Sequence, residues 1–344
     1  MFSPLMKAAF YGHRSAVEAL LDAGADITTP RTSNGCTPLH FAASRGHVET
    51  VVALLSGHDD KDVLAKNGDT PMIVAAIRGN RSVVEAMLDA GADATIRRAN
   101  GMTALHVAAN EGHDGTVVAL LSVRTDTDAL DGLGNTPLMI AVSRVHQSIV
   151  RALLGAGADV NVRCARDDGV HAGMTALHLA VRKKTIGVIE ALINHGADVH
   201  SRDDKKNQPL HIACRGFDVH KEVVSLLLRA GADGTALNGD GKTPADLLQK
   251  WKREANKGVR LLLRRASAWR RRGWIFMLFS RDSKAGRAGC KGDDVETQPA
   301  QHESGVIGGG SGSHAVGRRT DLSGAIELLG MAPDGVFRTV IKFL

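Results

Sequence analysis

A four-residue signature recurs along the chain at a fixed spacing, and it restricts the fold more than any other feature. Thr37-Pro38-Leu39-His40, Thr70-Pro71-Met72-Ile73, Thr103-Ala104-Leu105-His106 and Thr136-Pro137-Leu138-Met139 follow one another every 33 residues. Thr175-Ala176-Leu177-His178, Gln208-Pro209-Leu210-His211 and Thr243-Pro244-Ala245-Asp246 continue after intervals of 39, 33 and 35, and Ser3-Pro4-Leu5-Met6 begins the series. A period of this length predicts one small supersecondary unit per repeat. Such a unit cannot bury its apolar face alone and must stack on its neighbours.

Each unit reads as two helices. Threonine is a good N-cap, proline is tolerated at the first helical position, and paired alanines such as Ala42-Ala43 make a thin helix that neighbours can approach closely. A Gly-His turn, as in Gly46-His47 and Gly112-His113, leads to a second apolar-periodic stretch such as Val51 to Leu55 or Val223 to Leu228. That stretch ends at a glycine suited to a left-handed C-cap: Gly24, Gly91, Gly157, Gly196 or Gly231, each followed by Ala-Asp. Aromatic residues are only 3% of a chain that is 43% hydrophobic, so Leu, Val, Ile and Ala must build the core, which favours closely packed helices.

The Thr-Pro-Leu-His start, the Gly-His turn and the Leu-Leu-x-x-Gly-Ala-Asp end resemble the ankyrin repeat, over about eight units from residue 3 to near residue 266. The resemblance implies an all-α helical solenoid of about eight helix-turn-helix repeats. It also implies a non-catalytic protein-interaction scaffold or adaptor that binds partners on a concave surface of loop tips and inner helices. The matching positions are Arg45, Arg78, Glu111, Arg144 and Lys183, four of them basic, so an acidic partner segment is expected. Asn161 matches an asparagine that is sometimes hydroxylated in the family.

A longer period lies above the first. At an offset of 66, residues 36–97 and 102–163 are about half identical, and His40 and His106 alternate with Ile73 and Met139, so alternate interfaces should differ in polarity. The 39-residue interval carries an insertion around Cys164 to Gly173, and Lys206 replaces a turn glycine, which predicts a protruding loop. Leu5, Ala8 and Ala9 begin the stack with no obvious polar cap, so the expectation is self-association there or a chain that starts late.

Chemistry finds little support. Cys36, Cys164, Cys214 and Cys290 form no Cys-x-x-Cys pair, which fits a reducing compartment and signals neither zinc nor disulfides. His40, His106, His178 and His211 occur one per unit, better placed to hydrogen-bond backbone at helix starts than to share a metal. Gly308-Gly309-Gly310-Ser311-Gly312 lacks the Lys-Ser/Thr of a phosphate loop and reads as a linker. No catalytic constellation stands out, so no enzyme and no cofactor is expected. No leader or membrane-length apolar run is visible, which predicts an intracellular protein, in the cytoplasm or nucleus.

Charge divides the chain. Residues 1–249 hold 25 Lys and Arg against 28 Asp and Glu, whereas residues 250–344 hold 18 against 9. Lys250 to Arg281 contains eleven basic residues, with Glu254 as the sole acid, interleaved with Trp251, Trp269, Trp274, Phe276 and Phe279. Its first part, to about Ala266, should be the second helix of the last repeat, with Arg260, Arg264 and Arg265 as a polar cap. The rest, Trp269, Arg270, Arg271, Arg272, Trp274, Ile275 and Phe276, suits an anionic membrane surface or an acidic protein groove. Leu262, Trp269 and Ile275 fall at the anchor spacing of one class of calmodulin targets, and Ser267 follows two arginines as a basic-directed kinase site would. No groove-reading motif accompanies the charge, so nucleic acid is not the expected partner. The expected divisions are a solenoid at 1–266, a basic aromatic segment at 267–281 and a Gly/Ser-rich, mostly disordered tail at 282–344.

Overall fold

The computed structural model describes residues 2–28, 33–56, 60–123, 125–165, 172–215, 219–248 and 256–271, with side chains in the last stretch to residue 266. All of these fall in one compact unit, Met1–Ala285. Among the described residues the regular structure is entirely helical. Seven helix pairs follow in order: α1 (Pro4–Tyr11) with α2 (Arg14–Asp22), α3 (Pro38–Arg45) with α4 (Val48–Leu55), α5 (Pro71–Arg78) with α6 (Arg81–Asp89), and α7 (Ala104–Glu111) with α8 (Asp114–Leu121). Then come α9 (Pro137–Arg144) with α10 (Gln147–Gly155), α11 (Ala176–Lys183) with α12 (Ile186–Asn194), α13 (Pro209–Cys214) with α14 (Lys221–Arg229), and finally α15 (Lys257–Arg271).

First helices pack on first helices, from α1 to α13, and second helices on second helices, from α2 to α15, so the chain forms two layers. The core between them is one continuous cluster of side chains such as Leu39, Ala75, Leu105, Leu120, Leu153 and Leu192. The small residues set its thinness: Ala42, Ala43, Ala75, Ala76, Ala108 and Ala109 are all fully buried where helices approach.

Helix starts and stops follow the signature. Ser3, Thr70, Thr103 and Thr136 are extended and accept the N–H three residues on, as N-caps do. The first helices from α1 to α11 then end on a left-handed residue, and at Gly79 and Gly112 this does more than turn the chain. A Cβ there would come within 2.6 Å of His113 and 2.7 Å of His146, so a side chain would collide with the next unit's ring. The space is needed because His113 and His146 reach back to the carbonyls of Ile77 (3.1 Å) and Asn110 (3.3 Å). Val145 and Lys184 hold the same left-handed conformation without being glycine.

The loops before each first helix are hairpin-like fingers. Within one finger Arg98 N–H donates to the Met102 carbonyl (2.9 Å), and Asp203 N–H to that of Asn207 (2.9 Å). Between fingers a backbone bond recurs: Lys66 N–H to Asn34, Ala99 to Asn67, Gly132 to Asn100, Ala165 to Gly134, Asp204 to Ala172 and Gly239 to Lys205. One rung per finger therefore links the whole row. The insertion is pinched at its base by Cys164 N–H to Met174 (2.8 Å) and Gly173 N–H to Cys164 (3.0 Å); its residues 166–171 lie outside the described ones.

Two expectations need correction. Leu5, Ala8 and Ala9 do not face the open end: they are 2%, 6% and 0% exposed, turned toward α2 and α3, while Lys7 and Tyr11 stand on the surface of α1. Thr243-Pro244-Ala245-Asp246 starts a turn and no α-helix among the described residues, although the Asp246 carboxylate accepts from the Thr243 N–H (2.9 Å) and hydroxyl (2.6 Å) as at a helix start. Its partner α15 does pack on α14 through Val259 and Leu263, with Arg264 and Arg265 exposed as a cap should be. Arg260 instead donates to the Leu248 carbonyl (3.3 Å) and pins the turn to the helix.

Candidate interaction surface

The four signature histidines are fully or almost fully buried, and each joins two units. At His106 the backbone N–H of Thr103 donates to Nδ1 (3.2 Å), while Nε2 lies 3.1 Å from the Asn135 carbonyl in the next finger. An acceptor at Nδ1 and a carbonyl at Nε2 fit the neutral imidazole with its proton on Nε2. His40 reaches Asp69, His178 reaches Asn207 and His211 reaches Ala236 and Lys242 in the same way. Burial pushes all four below the ordinary histidine range, against the opposing pull of these backbone acceptors. Among the described residues no group of His, Cys, Asp or Glu is arranged to hold a metal.

Where histidine is replaced, the interface changes character. Ile73 and Met139 are buried, and the finger after Ile73 uses an ion pair, Arg98 to the nearly buried Asp69 at 2.8 Å. The alternate interfaces thus differ in the contact that crosses them, a histidine–carbonyl bond after His40 and an ion pair after Ile73. Cys164 and Cys214 are buried, and burial raises the Cys214 thiol to about 12, so it stays protonated at neutral pH.

The positions expected to meet a partner form a row. Arg45, Arg78, Glu111, Arg144 and Lys183 are the last residues of α3, α5, α7, α9 and α11, all exposed. Stacking of these helices sets neighbouring members about 8–10 Å apart. Three of them are positioned by local contacts. The Arg45 guanidinium lies 4.0 Å over the Phe10 ring, Arg144 donates to the Asn110 side chain (2.9 Å), and Asn110 in turn donates to Glu111 (2.8 Å). Phe10 belongs to a cluster with Phe2, Phe41 and Tyr11, centroids 5.2–6.3 Å apart.

A second row, which the sequence reading passed over, lies on the fingers six residues before five of the signatures. Leu64, Leu130 and Leu237 are 55%, 37% and 52% exposed, and they alternate with Arg97 and Arg202. Arg97 and Arg202 each donate to the carbonyl of the leucine in the next finger, that of Leu130 and that of Leu237. Counting back six from each threonine was the signal available for it.

Of the C-terminal candidates, Leu262 is half-buried on α15. The backbones of Ser267, Trp269, Arg270 and Arg271 continue that helix, but their side chains, and all of Arg272, Trp274, Ile275 and Phe276, lie outside the described residues. None of the described helices is long and apolar enough to cross a membrane.

Stacked two-helix units joined by fingers define a class of solenoid interaction proteins. The family model described as "Ankyrin repeats (3 copies)" matches residues 5–98, 82–164 and 162–238, so the chain belongs to the ankyrin repeat family. It is similar to the crystal structure of the human ASB11 ankyrin repeat domain, at 27% identity and a TM-score of 0.55, covering 64% of this chain and 96% of that one. It is also similar to the ankyrin repeat domain of Bcl-3, a member of the IkappaB protein family, at 27% identity and a TM-score of 0.59, covering 67% and 100%. Comparison with curated proteins gives no match. Ankyrin repeats generally mediate protein–protein interaction.

Proposed function

We propose that the chain is a non-catalytic scaffold or adaptor that takes up an acidic segment of a partner protein along the row from Arg45 to Lys183. The carrying observation is that five successive first helices end on an exposed charged residue, four of them basic. Cations at helix C-termini also lie where the helix dipole holds them. The fingers add the exposed leucines Leu64, Leu130 and Leu237, so the best-fitting segment mixes acidic with apolar residues. In a reducing cytoplasm or nucleus the buried thiols would persist as they are.

The triple reversal Arg45→Glu, Arg78→Glu and Arg144→Glu tests this. A partner captured on the unaltered chain should associate with the variant more slowly and with a flatter salt dependence, because exposed charges act over about 8 Å at physiological salt. Unchanged kinetics would reduce the row to a solvated edge. A second reading rests on α15, which continues past the last buried contact to Arg271 and exposes Leu261 beside Arg264 and Arg265. In it the segment from 250 to 281 attaches the chain to anionic membrane or calmodulin, with Ser267 phosphorylation weakening the attachment. Co-sedimentation with phosphatidylserine vesicles, and titration with calcium-loaded calmodulin, decide for or against it.

A further inference from the structure

The row of charged helix ends has a sixth member that carries no charge. Six first helices run eight residues and end, in order, on Tyr11, Arg45, Arg78, Glu111, Arg144 and Lys183. The row stops there because α13 is shorter, ending after six residues at Cys214. From Thr37, Thr70, Thr103 and Thr175 the second helix begins eleven residues on, but from Gln208 it begins thirteen residues on, at Lys221. Tyr11, the chain's only tyrosine, is 64% exposed. Its ring meets Phe10 edge-on at 5.2 Å, and Phe10 is the ring that the Arg45 guanidinium covers.

The charges of the row are not cancelled within the protein. Among the described residues the ion pairs are Arg14–Glu18, Arg81–Glu85, Arg98–Asp69 and Arg163–Asp204, and none of the six helix ends takes part. Glu111 is the only acid on any of the seven first helices. It is held in place by Asn110, which donates to its carboxylate (2.8 Å) and accepts from Arg144 (2.9 Å). Along the stack the ends therefore present an aromatic face, two cations, one anion and two more cations. Neighbours stand about 8–10 Å apart. That step matches one turn of a polyproline II chain, which rises about 9.3 Å over three residues and returns every third side chain to the same face.

We propose that the partner segment is a polyproline II peptide read at every third residue: an apolar side chain on Tyr11 and Phe10, acids on Arg45 and Arg78, a base on Glu111, and acids again on Arg144 and Lys183. This rests on the reading of the row as the edge that takes up an acidic segment, and adds the conformation and register of that segment. Glu111 sets the register. A segment slid by one unit brings an acid onto Glu111, where it meets like charge, and carries its apolar residue off the aromatic end.

The test is fluorescence polarisation of the full chain with the fluorescein-labelled peptide Leu-Pro-Pro-Glu-Pro-Pro-Glu-Pro-Pro-Lys-Pro-Pro-Glu-Pro-Pro-Glu, and with the same peptide carrying Glu for Lys, each also made in the reversed order. General attraction to a basic edge favours the second peptide, which is the more acidic. The register favours the first, by roughly threefold to tenfold in Kd. Glu111→Lys should reverse that preference, and Tyr11→Ala should weaken only peptides that carry the leucine; both positions are exposed, and unchanged circular dichroism shows that the stack is intact. Preference of the unaltered chain for the all-Glu peptide would overturn the proposal, as would a Tyr11→Ala loss that persists when glutamine replaces the leucine. If the two peptides bind equally and the triple reversal Arg45→Glu, Arg78→Glu and Arg144→Glu weakens both, the acidic-segment reading stands and the register falls. No binding in either order also ends the register, and the kinetics of a captured partner then judge the row by themselves.

Discussion

His106 carries a cap, a tautomer and a joint between units in one side chain, and its titration should report on all three. Its folded pKa is lowered, as are those of His40, His178 and His211. As pH falls below the unfolded value of about 6.5, the unfolded chain takes up protons that the native rings refuse, so stability present above that pH is lost below it. Each ring contributes at most about 1.4 kcal/mol per pH unit. Urea midpoints should therefore drop between pH 7.5 and 5.5, and His106→Gln should be less stable at pH 7.5 but less sensitive to acid. Parallel curves for the two proteins would show that the ring does not titrate as argued. Val145 makes the opposite case, a branched side chain at φ 65° where neighbours use glycine. Val145→Gly should stabilise by about 0.5–1 kcal/mol, as relief of left-handed strain exceeds the entropy glycine adds to the unfolded chain; thermal melts measure it.

At the scale of elements, α8 offers an internal comparison, since Leu120 is fully buried and Val118 is 50% exposed on the same helix. Leu120→Ala should cost about 2–5 kcal/mol and Val118→Ala less than about 0.5 kcal/mol. Equal losses would contradict the two-layer packing. This register was legible in the sequence, because threonine caps, alanine pairs and glycine stops act within one unit and repeat. The histidines were legible for the same reason: three residues after an N-cap, a ring is within reach of that cap. What stayed hidden depends on the neighbouring unit. The Asp69–Arg98 pair joins residues 29 apart, and nothing in either unit alone marks it. The early end of α13 was written in the two extra residues before Lys221, but a Gly at 216 imitates the usual turn signal and masks the shift. Leu5, Ala8 and Ala9 were misread because the period identifies a helix face without saying which end of the stack it meets.

For the whole molecule, the finger rungs decide how it yields to load. Each is a single backbone hydrogen bond at the same or an adjacent place in successive fingers, and each helix pair otherwise touches only its neighbours. Tension applied to the two ends would load these links in series, so extension should proceed by peeling units from a terminus instead of by one global rupture. A 33-residue unit released to full extension lengthens by about 110–120 Å, less the thickness it occupied. The 39-residue interval from Thr136 to Thr175 should give a step about 20 Å longer. In an optical trap that one long step would act as a ruler mark, recording from which end the solenoid comes apart.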